Sequence, residues 1–572
     1  MQIVSLRQWN VRGYDEAHAA VLAAQLGVSP VVAGLLVARG IETEDAARQL
    51  LHPSFDQLHD PSLMLGMSDA VARLLRAVDT GEQILIYGDY DVDGTTGTVV
   101  LRRALQLLGA ATRFHVPHRF TEGYGIRRDV LEQAKADGCR LVISVDCGIR
   151  AHEPLEWARA NGLDVIVTDH HLPDETEGVP PAFAVLNANQ RDCKYPDKHL
   201  AGVGVAYKFA HAILRERGRE NLIKGFLKLV AIGTVADVAP LIGENRAIVS
   251  LGLRDLAHAT NPGLRALMEV SGCGDGSDMS CSDLGFRLGP RINAAGRMDA
   301  ARAVVELFET KSETEARRLA GELDARNRER QLMQRAITER ALAEYEASGD
   351  SGAVAVVAGD DWHRGVIGLA ASKLAEKLNR PCIVISLEGD TGHGSARSVE
   401  GYHLLDGLST CAELFNSFGG HAQAAGLTIR RERINELRRR LHTHASGFSD
   451  GVNRAPVLKV DAELPASALT LALAAELERL EPFGAQWPRP IFVTRDLRVV
   501  KEARVLKERH LKFEVAAGEN RRPLECLWWG GAENAAATPR SGDRIELAYA
   551  IETNTWRDEK RLQLIVQDMR IK

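Results

Sequence analysis

At 572 residues the chain is too long for a single hydrophobic core, and about three or four domains are expected. Its net charge of −6 gives no overall cationic footprint, so any nucleic acid it binds must lie in a local groove. With 45% hydrophobic and 26% charged residues, and no apolar run near the roughly 20 residues that cross a bilayer, it reads as a globular protein without a membrane partner.

The eight cysteines are scattered and form no C-x-x-C pair, as expected of reduced thiols in a cytoplasmic protein. The N-terminal MQIVSLRQWN has no charged segment followed by an apolar run, so no leader is expected. Residues 1–50 have Ala-rich apolar spacing and are expected to form an N-terminal helical segment. His52-Pro53-Ser54-Phe55 breaks that pattern, and a further helix is expected over 67–78.

Residues 83–88 then read as an apolar strand, followed by Asp89-Tyr90-Asp91-Val92-Asp93-Gly94 and a helix over 95–108. Three carboxylates at alternate positions of a strand-to-helix turn repel one another unless a cation sits among them, and hard divalent ions favour such oxygen ligands. The ordinary alternative is an acidic turn in which Gly94 supplies a positive φ. The pattern of an apolar strand followed by an acid recurs twice. Residues 141–145 end at Asp146-Cys147-Gly148, and residues 164–168 end at Asp169-His170-His171. Alternating strands and helices predict a parallel sheet, whose right-handed crossovers bring every strand's C-terminal end to one edge. Asp89, Asp91, Asp93, Asp146, Asp169, His170 and His171 are therefore expected to converge. Asp237, at the end of an apolar helix over 226–235, is read as one more metal ligand, with a surface helix-end aspartate as the alternative.

The loop over 117–125 carries cations and two glycines, among them Arg119. Gly289-Pro290-Arg291-Ile292-Asn293-Ala294-Ala295-Gly296-Arg297 is read as a glycine-rich loop whose two arginines suit phosphate, or else as a structural turn. Residues 311–346 predict one long linking helix, polar nearly all round. A second α/β domain is expected over 347–450. Its glycine-rich segments at 392–398 and 418–426 read as loops that admit an anion. From 456 to 572 short strands predict a small OB-like β-barrel. Its interleaved Phe483, Trp487, Phe492, Arg509, His510, Phe513, Trp528, Trp529, Trp556 and Arg557 could form a stacking platform for single strands, although most of these rings would otherwise be core.

Asp89 to Gly94, Asp146, Asp169-His170-His171 and Asp237 resemble the motifs of the DHH phosphoesterases. Gly419-Gly420-His421 with Ala424-Ala425-Gly426 resembles the DHHA1 domain that accompanies them. The order of parts and the terminal barrel are similar to the branch of that family comprising bacterial single-strand-specific 5′→3′ DNA exonucleases. The implied fold class is α/β: a parallel-sheet DHH catalytic domain over 51–310, the linking helix, a DHHA1 domain and the OB-like barrel. The resemblance implies two metal ions, Mn²⁺ or Mg²⁺, held by Asp89, Asp91, Asp93, Asp146, His170 and Asp237, with Asp146 bridging. It gives His171 a place facing the scissile phosphate and Asp169 the task of orienting an imidazole. It assigns Arg119, Arg297, Ser395 and Arg397 to a terminal 5′-phosphate, and Gly419, Gly420 and His421 to the strand. Tyr87 stands where some distant members of the superfamily place a His ligand. The implied partners are single-stranded DNA, a single-strand-binding protein and a helicase, and the implied state is a monomer acting in recombination and repair. A DHH phosphodiesterase of small nucleotides and a non-catalytic nucleic-acid-binding scaffold are the competing readings.

Overall fold

The computed structural model describes residues 7–274, 279–298, 301–349, 352–447, 457–516, 523–533, 538–556 and 559–572; the side chains of residues 533, 555 and 556 lie outside the described set. The chain opens with β1 (Gln8–Val11), then α1 (Glu16–Leu26), α2 (Pro30–Ala38) and α3 (Glu44–Leu51). Asp15, Ser29 and Thr43 cap the three helices by accepting from the backbone N–H of His18, Val32 and Ala46. The all-helical expectation is corrected at β1, which pairs in parallel with Val457–Val460 at the far end of the chain. A pairing between such distant segments leaves no local pattern. It is fastened by Trp9, whose indole N–H donates to Asp568 at 2.6 Å while the Arg570 guanidinium lies 4.0 Å from the ring. Among the described residues no single helix is long and apolar enough to cross a membrane. The pair α1 and α2 passes that test only jointly, bent by 120°, and its apolar side packs into the barrel's core.

After α4 (Met67–Asp79) comes the alternation β2 (Gln83–Tyr87), α5 (Val92–Leu107), β3 (Thr112–His115), α6 (Arg128–Ala136), β4 (Cys139–Val145), α7 (His152–Ala160), β5 (Asp164–Thr168) and β6 (Ala184–Leu186). The strands form an all-parallel sheet in the order β3-β2-β4-β5-β6. Its central strands are continuous apolar runs because both faces are covered. α5 packs on one face with α8 (Gly202–Glu216), α9 (Leu227–Ala236) and α10 (Gly243–Leu256), and α6 and α7 cover the other.

Residues Gly289–Arg297 form a helix, not the glycine-rich loop that composition suggests. Pro290 occupies its first turn, where a missing N–H is harmless, and its small residues allow close packing. Arg291 pairs with Asp324 at 2.9 Å, so it serves the fold and is not available to phosphate. The helix Glu313–Ala347 bridges two domains as expected, but it is not polar all round. Ala316, Leu319, Ala320 and Leu323 enter the first domain's core, and Ile337 and Ala341 the second's.

The second sheet contains β7 (Ala355–Asp360), β8 (Cys382–Glu388), β9 (Thr391–Arg397), β10 (Phe415–Gly420) and β11 (Ala424–Arg430), in the order β10-β11-β9-β8-β7. Both segments read as anion-binding loops are thus largely strands: β9 contains residues 392–397, and 418–426 spans the β10–β11 hairpin. Glycine usually argues against a strand, yet here it makes room; a Cβ on Gly394 would meet the Leu427 side chain at 2.6 Å. After β12 (Val457–Val460) and β13 (Ala462–Glu463), the strands β14 (Phe492–Leu506), β15 (His510–Ala516), β16 (Leu524–Trp528), β17 (Arg544–Trp556) and β18 (Glu559–Ile571) close a five-stranded barrel through the β14–β17 pairing. This matches an OB fold. Trp487, Phe492 and Phe513 are core and Phe483 and Trp528 are half-buried, leaving Trp529, 58% exposed, with its edge against His510. The side chain of Trp556, and Arg557, lie outside the described residues.

Candidate metal centre

The sheet places its chemistry along one edge. β2 ends at Tyr87, and the chain turns through Asp89 and Asp91 into α5. Asp91 caps that helix by accepting from the Gly94 N–H at 2.9 Å. Gly94 is itself helical and has no positive φ; glycine is needed there for space, because a Cβ would fall 2.6 Å from that of Asp89. Asp93 lies within α5 and accepts from the N–H groups of Gly202 and Val203, both at 2.7 Å, so its charge rests on the amino-terminal turn of α8. Asp146 follows β4 with φ of 61°, a left-handed conformation unusual for any residue but glycine. The strain is held by its own N–H donating to the Thr168 carbonyl at 2.9 Å and by the Tyr124 hydroxyl donating to its carbonyl at 3.2 Å.

After β5, Asp169 is fully buried. One of its carboxylate oxygens accepts from the backbone of His170 and His171 and lies 2.8 Å from His171 Nδ1; the other accepts from the Ile149 N–H. Asn187 and Asn189 donate to the carbonyls of His171 and His170, fixing the turn from the other side. His170 Nε2 lies 3.2 Å from Asp146, 3.8 Å from Asp93 and 3.9 Å from Asp237. Three overlapping groups have ligand atoms all within 4.8 Å of one another: Asp146, His170 and His171; Asp93, His170 and Asp237; Asp89, Asp91 and Asp146. Residues expected to converge do so. Tyr87 is buried and donates to the Gly125 carbonyl.

The electrostatics are those of a site short of cations. Burial, then Asp91, holds Asp89 far above the usual carboxylate range, and burial with Asp93 and Asp91 does the same for Asp146. Burial and Asp91 raise Asp93 to about 7, and burial, Asp93 and Asp91 raise Asp237 to about 9. Burial, then His171, depresses His170 to about 4, so its ring is neutral and its lone pair available. Burial would raise Asp169, but the hydrogen bond and charge of His171 prevail and lower it; the same bond raises His171 against its own burial. Asp89 Oδ1, Asp146 Oδ1 and His170 Nε2 are buried with no hydrogen-bond partner. Unpaired buried oxygens and an imidazole nitrogen, aimed together, are the donor set that a hard divalent ion takes.

Beside this cluster lies a cationic one. Tyr90, between Asp89 and Asp91, carries the Arg119 guanidinium 4.9 Å above its ring. Arg297 ends its helix and donates to the Gly365 carbonyl at 2.9 Å, reaching the second domain. Arg397, on β9, donates to Ser395 Oγ at 3.2 Å and to the Ala396 carbonyl at 2.8 Å. Burial, then Arg119, Arg330 and Arg397, depresses Arg297 to about 10; burial and Arg119 also lower Arg397. Arg119 also lines a cleft of about 490 Å³ between the domains, walled with it by Tyr90, Phe120, Ser395, Phe418 and Gly419; Arg397 adjoins the cleft through its bond to Ser395. Gly420 and His421 do not line it. They sit at the exposed β10–β11 turn, where the His421 N–H donates to the Ala424 carbonyl. Tyr124, Asn187 and Asn189 escaped the sequence reading. Tyr124 had a signal, standing between two glycines in the loop already noted for its cations; the asparagines had none.

The chain matches the DHH family N-terminal domain over residues 83–234, the DHHA1 domain over 349–446 and the RecJ OB domain over 460–568. It is 37% identical to the single-stranded-DNA-specific exonuclease RecJ of Bacillus subtilis, over 99% of this chain and 71% of that protein. It is 38% identical to the Dickeya dadantii protein of the same name, over 93% of this chain and 95% of that protein. The chain belongs to the RecJ family. Among solved structures it resembles Thermus thermophilus RecJ in complex with Mn²⁺, with a TM-score of 0.83 at 30% identity, over 98% of this chain and 79% of that one. The RecJ match covers the barrel and both α/β domains, so the whole arrangement, and not the acidic motifs alone, is shared.

Proposed function

We propose that the chain is a metal-dependent exodeoxyribonuclease that hydrolyses single-stranded DNA from the 5′ end, releasing 5′-mononucleotides, and that it acts in recombination and repair. One observation carries this reading. Tyr90 joins a metal-ligand cluster to a cluster of half-buried arginines, so a strand end with its 5′-phosphate among the arginines presents its next phosphate to the acids. Capture of the terminal phosphate gives polarity.

The donor set fits two ions, Mn²⁺ or Mg²⁺. Asp89, Asp91, Asp93, Asp146, His170 and Asp237 would hold them; Asp146 and His170 each belong to two of the three overlapping groups, and of these Asp146, with two carboxylate oxygens, would be the shared ligand. When bound, such ions polarise the scissile phosphate and provide hydroxide near neutral pH. The chain's own side chains do the rest. Asp169 fixes His171 Nδ1, which leaves Nε2 to face the phosphate and favours the charged ring there. Arg119, Arg297, Arg397 and Ser395 bind the terminal phosphate. The β10–β11 hairpin, with Gly419, Gly420 and His421, lies against the strand. Trp529 on the barrel offers a ring to a base further along.

End-labelled oligonucleotides with Mn²⁺ or Mg²⁺ test the proposal. Mononucleotides released from the 5′ label of single strands, with duplex spared, are expected. Release from the 3′ label first, equal attack on duplex, or hydrolysis of dinucleotides alone would overturn it.

A further inference from the structure

The cleft that receives the 5′-phosphate is longer and more cationic than one phosphate requires. His393, Ser395 and Arg397 alternate along β9 and therefore share one face of the sheet. Strand residues advance about 3.3 Å each, so this polar stripe runs about 13 Å from Arg397 to His393. Arg397 and Arg119 mark its inner end. At the outer end His393 and Arg364 line the same cavity. Arg364 is the first residue of the helix Arg364–Leu378, whose amino-terminal N–H groups favour an anion. The floor between the two ends is open because residue 368 is glycine; a Cβ there would stand 3.0 Å from Ser395 Oγ and 3.3 Å from Arg397 Nη2. The acids near the outer end are Glu388, more than half exposed, and Asp360 and Asp361, which line a neighbouring pocket with Arg364; Asp360 is paired with Arg431. Glu388 lies 3.9 Å from Arg364 and 3.8 Å from His393, too far for hydrogen bonds.

We infer that the outer half of this cleft, built by Arg364 and His393 beyond Ser395, is a subsite for a 5′-polyphosphate beyond the terminal phosphate. The inference rests on the 5′-phosphate pocket proposed above and extends the substrate class to strands with a 5′-triphosphate, the end left where synthesis of a primer began. The first turnover on such a strand adds water across the first internucleotide bond. The P–O3′ bond breaks, the terminal nucleotide leaves with a 3′-hydroxyl and its triphosphate intact, and the remaining strand keeps the phosphate. No further reactant is needed.

The test uses the full chain with Mn²⁺ and three otherwise identical single strands ending in 5′-hydroxyl, 5′-monophosphate and 5′-triphosphate. The triphosphate strand is expected to show a KM about fivefold below that of the monophosphate strand, and a nucleoside triphosphate as its first product. Arg364→Gln should erase that difference, acting at least several times more on the triphosphate strand than on the monophosphate strand. ATP as a competitor separates two sources of the ligand. Inhibition that Arg364→Gln relieves assigns the subsite to free nucleotides as well, and no inhibition assigns it to strand ends alone. A triphosphate end resisted like a blocked end, or equal losses on both strands in Arg364→Gln, would overturn the subsite. A monophosphate strand no better than the hydroxyl strand would instead overturn the 5′-phosphate pocket itself.

Discussion

Removing divalent metal should make this protein lose stability as pH rises through neutrality. The carboxyl of Asp237 ionises at about 9 in the metal-free fold and that of Asp93 at about 7, against an ordinary value of 3.8. A carboxyl whose pKa is raised by folding holds its proton more tightly in the native state. It therefore supports the fold at low pH, and that support is lost between the unfolded and folded values. The other groups of the site set the window. His170, lowered to about 4, adds stability up to its ordinary 6.5 and nothing above. Asp169, lowered, matters only in acid; His171, raised, loses support above 6.5 in the same sense as the acids, and Asp89, Asp91 and Asp146, all raised, act in that sense too. From about pH 6.5 to 8, Asp237 then accounts for about 2 kcal/mol and Asp93 for somewhat under 1 kcal/mol before it is fully ionised. For a domain of this size each kcal/mol moves Tm by about 2–4 °C, so these two groups alone predict a fall of at least roughly 5 °C. Differential scanning fluorimetry in EDTA measures it. Excess Mn²⁺ should remove the slope, and Asp237→Asn should reduce it while leaving the share of the other raised carboxyls. A metal-free Tm that is flat or rises over this range would refute the reasoning.

Asp146→Asn should abolish hydrolysis while single-strand affinity, measured by fluorescence anisotropy, is kept; turnover near wild type would exclude it as the shared ligand. Asp169→Asn should lower kcat by about 10–100-fold, with KM little changed, because it touches only the orientation and charge of His171; a change confined to KM would contradict that role. Trp529→Ala should weaken single-strand binding by about 1–3 kcal/mol without altering the salt dependence, since the ring carries no charge. Unchanged affinity would place the strand on another face of the barrel.

The metal cluster was legible because it obeys a topological rule. Parallel strands with right-handed crossovers gather their carboxyl ends, so Asp89, Asp146 and Asp169 could be placed together from the apolar runs before them. What stayed hidden depends on contacts between distant segments. Nothing near Gln8 announces that it will pair with Val457, and nothing in Gly392 to Arg397 announces that packing against Ile385, Leu427 and Ile429 will make a strand of a glycine-rich stretch. Gly289 to Arg297 shows the same limit from the other side. Two arginines among glycines suggested phosphate, but they lie on one helix, and Asp324 claims one while the other reaches the Gly365 carbonyl of the second domain. The barrel's aromatics were sorted by tertiary packing, which a composition count does not weigh; of those described, Trp529, just past the end of β16, alone is strongly exposed.

Asp91, Asp146 and His170 are expected to belong to one metal centre. Anomalous diffraction from a crystal grown with Mn²⁺ measures it without reference to activity. Two peaks among Asp89, Asp91, Asp93, Asp146, His170 and Asp237, each about 2.0–2.4 Å from its ligand atoms, are predicted. Anomalous density elsewhere, with none among these side chains at saturating Mn²⁺, would contradict it.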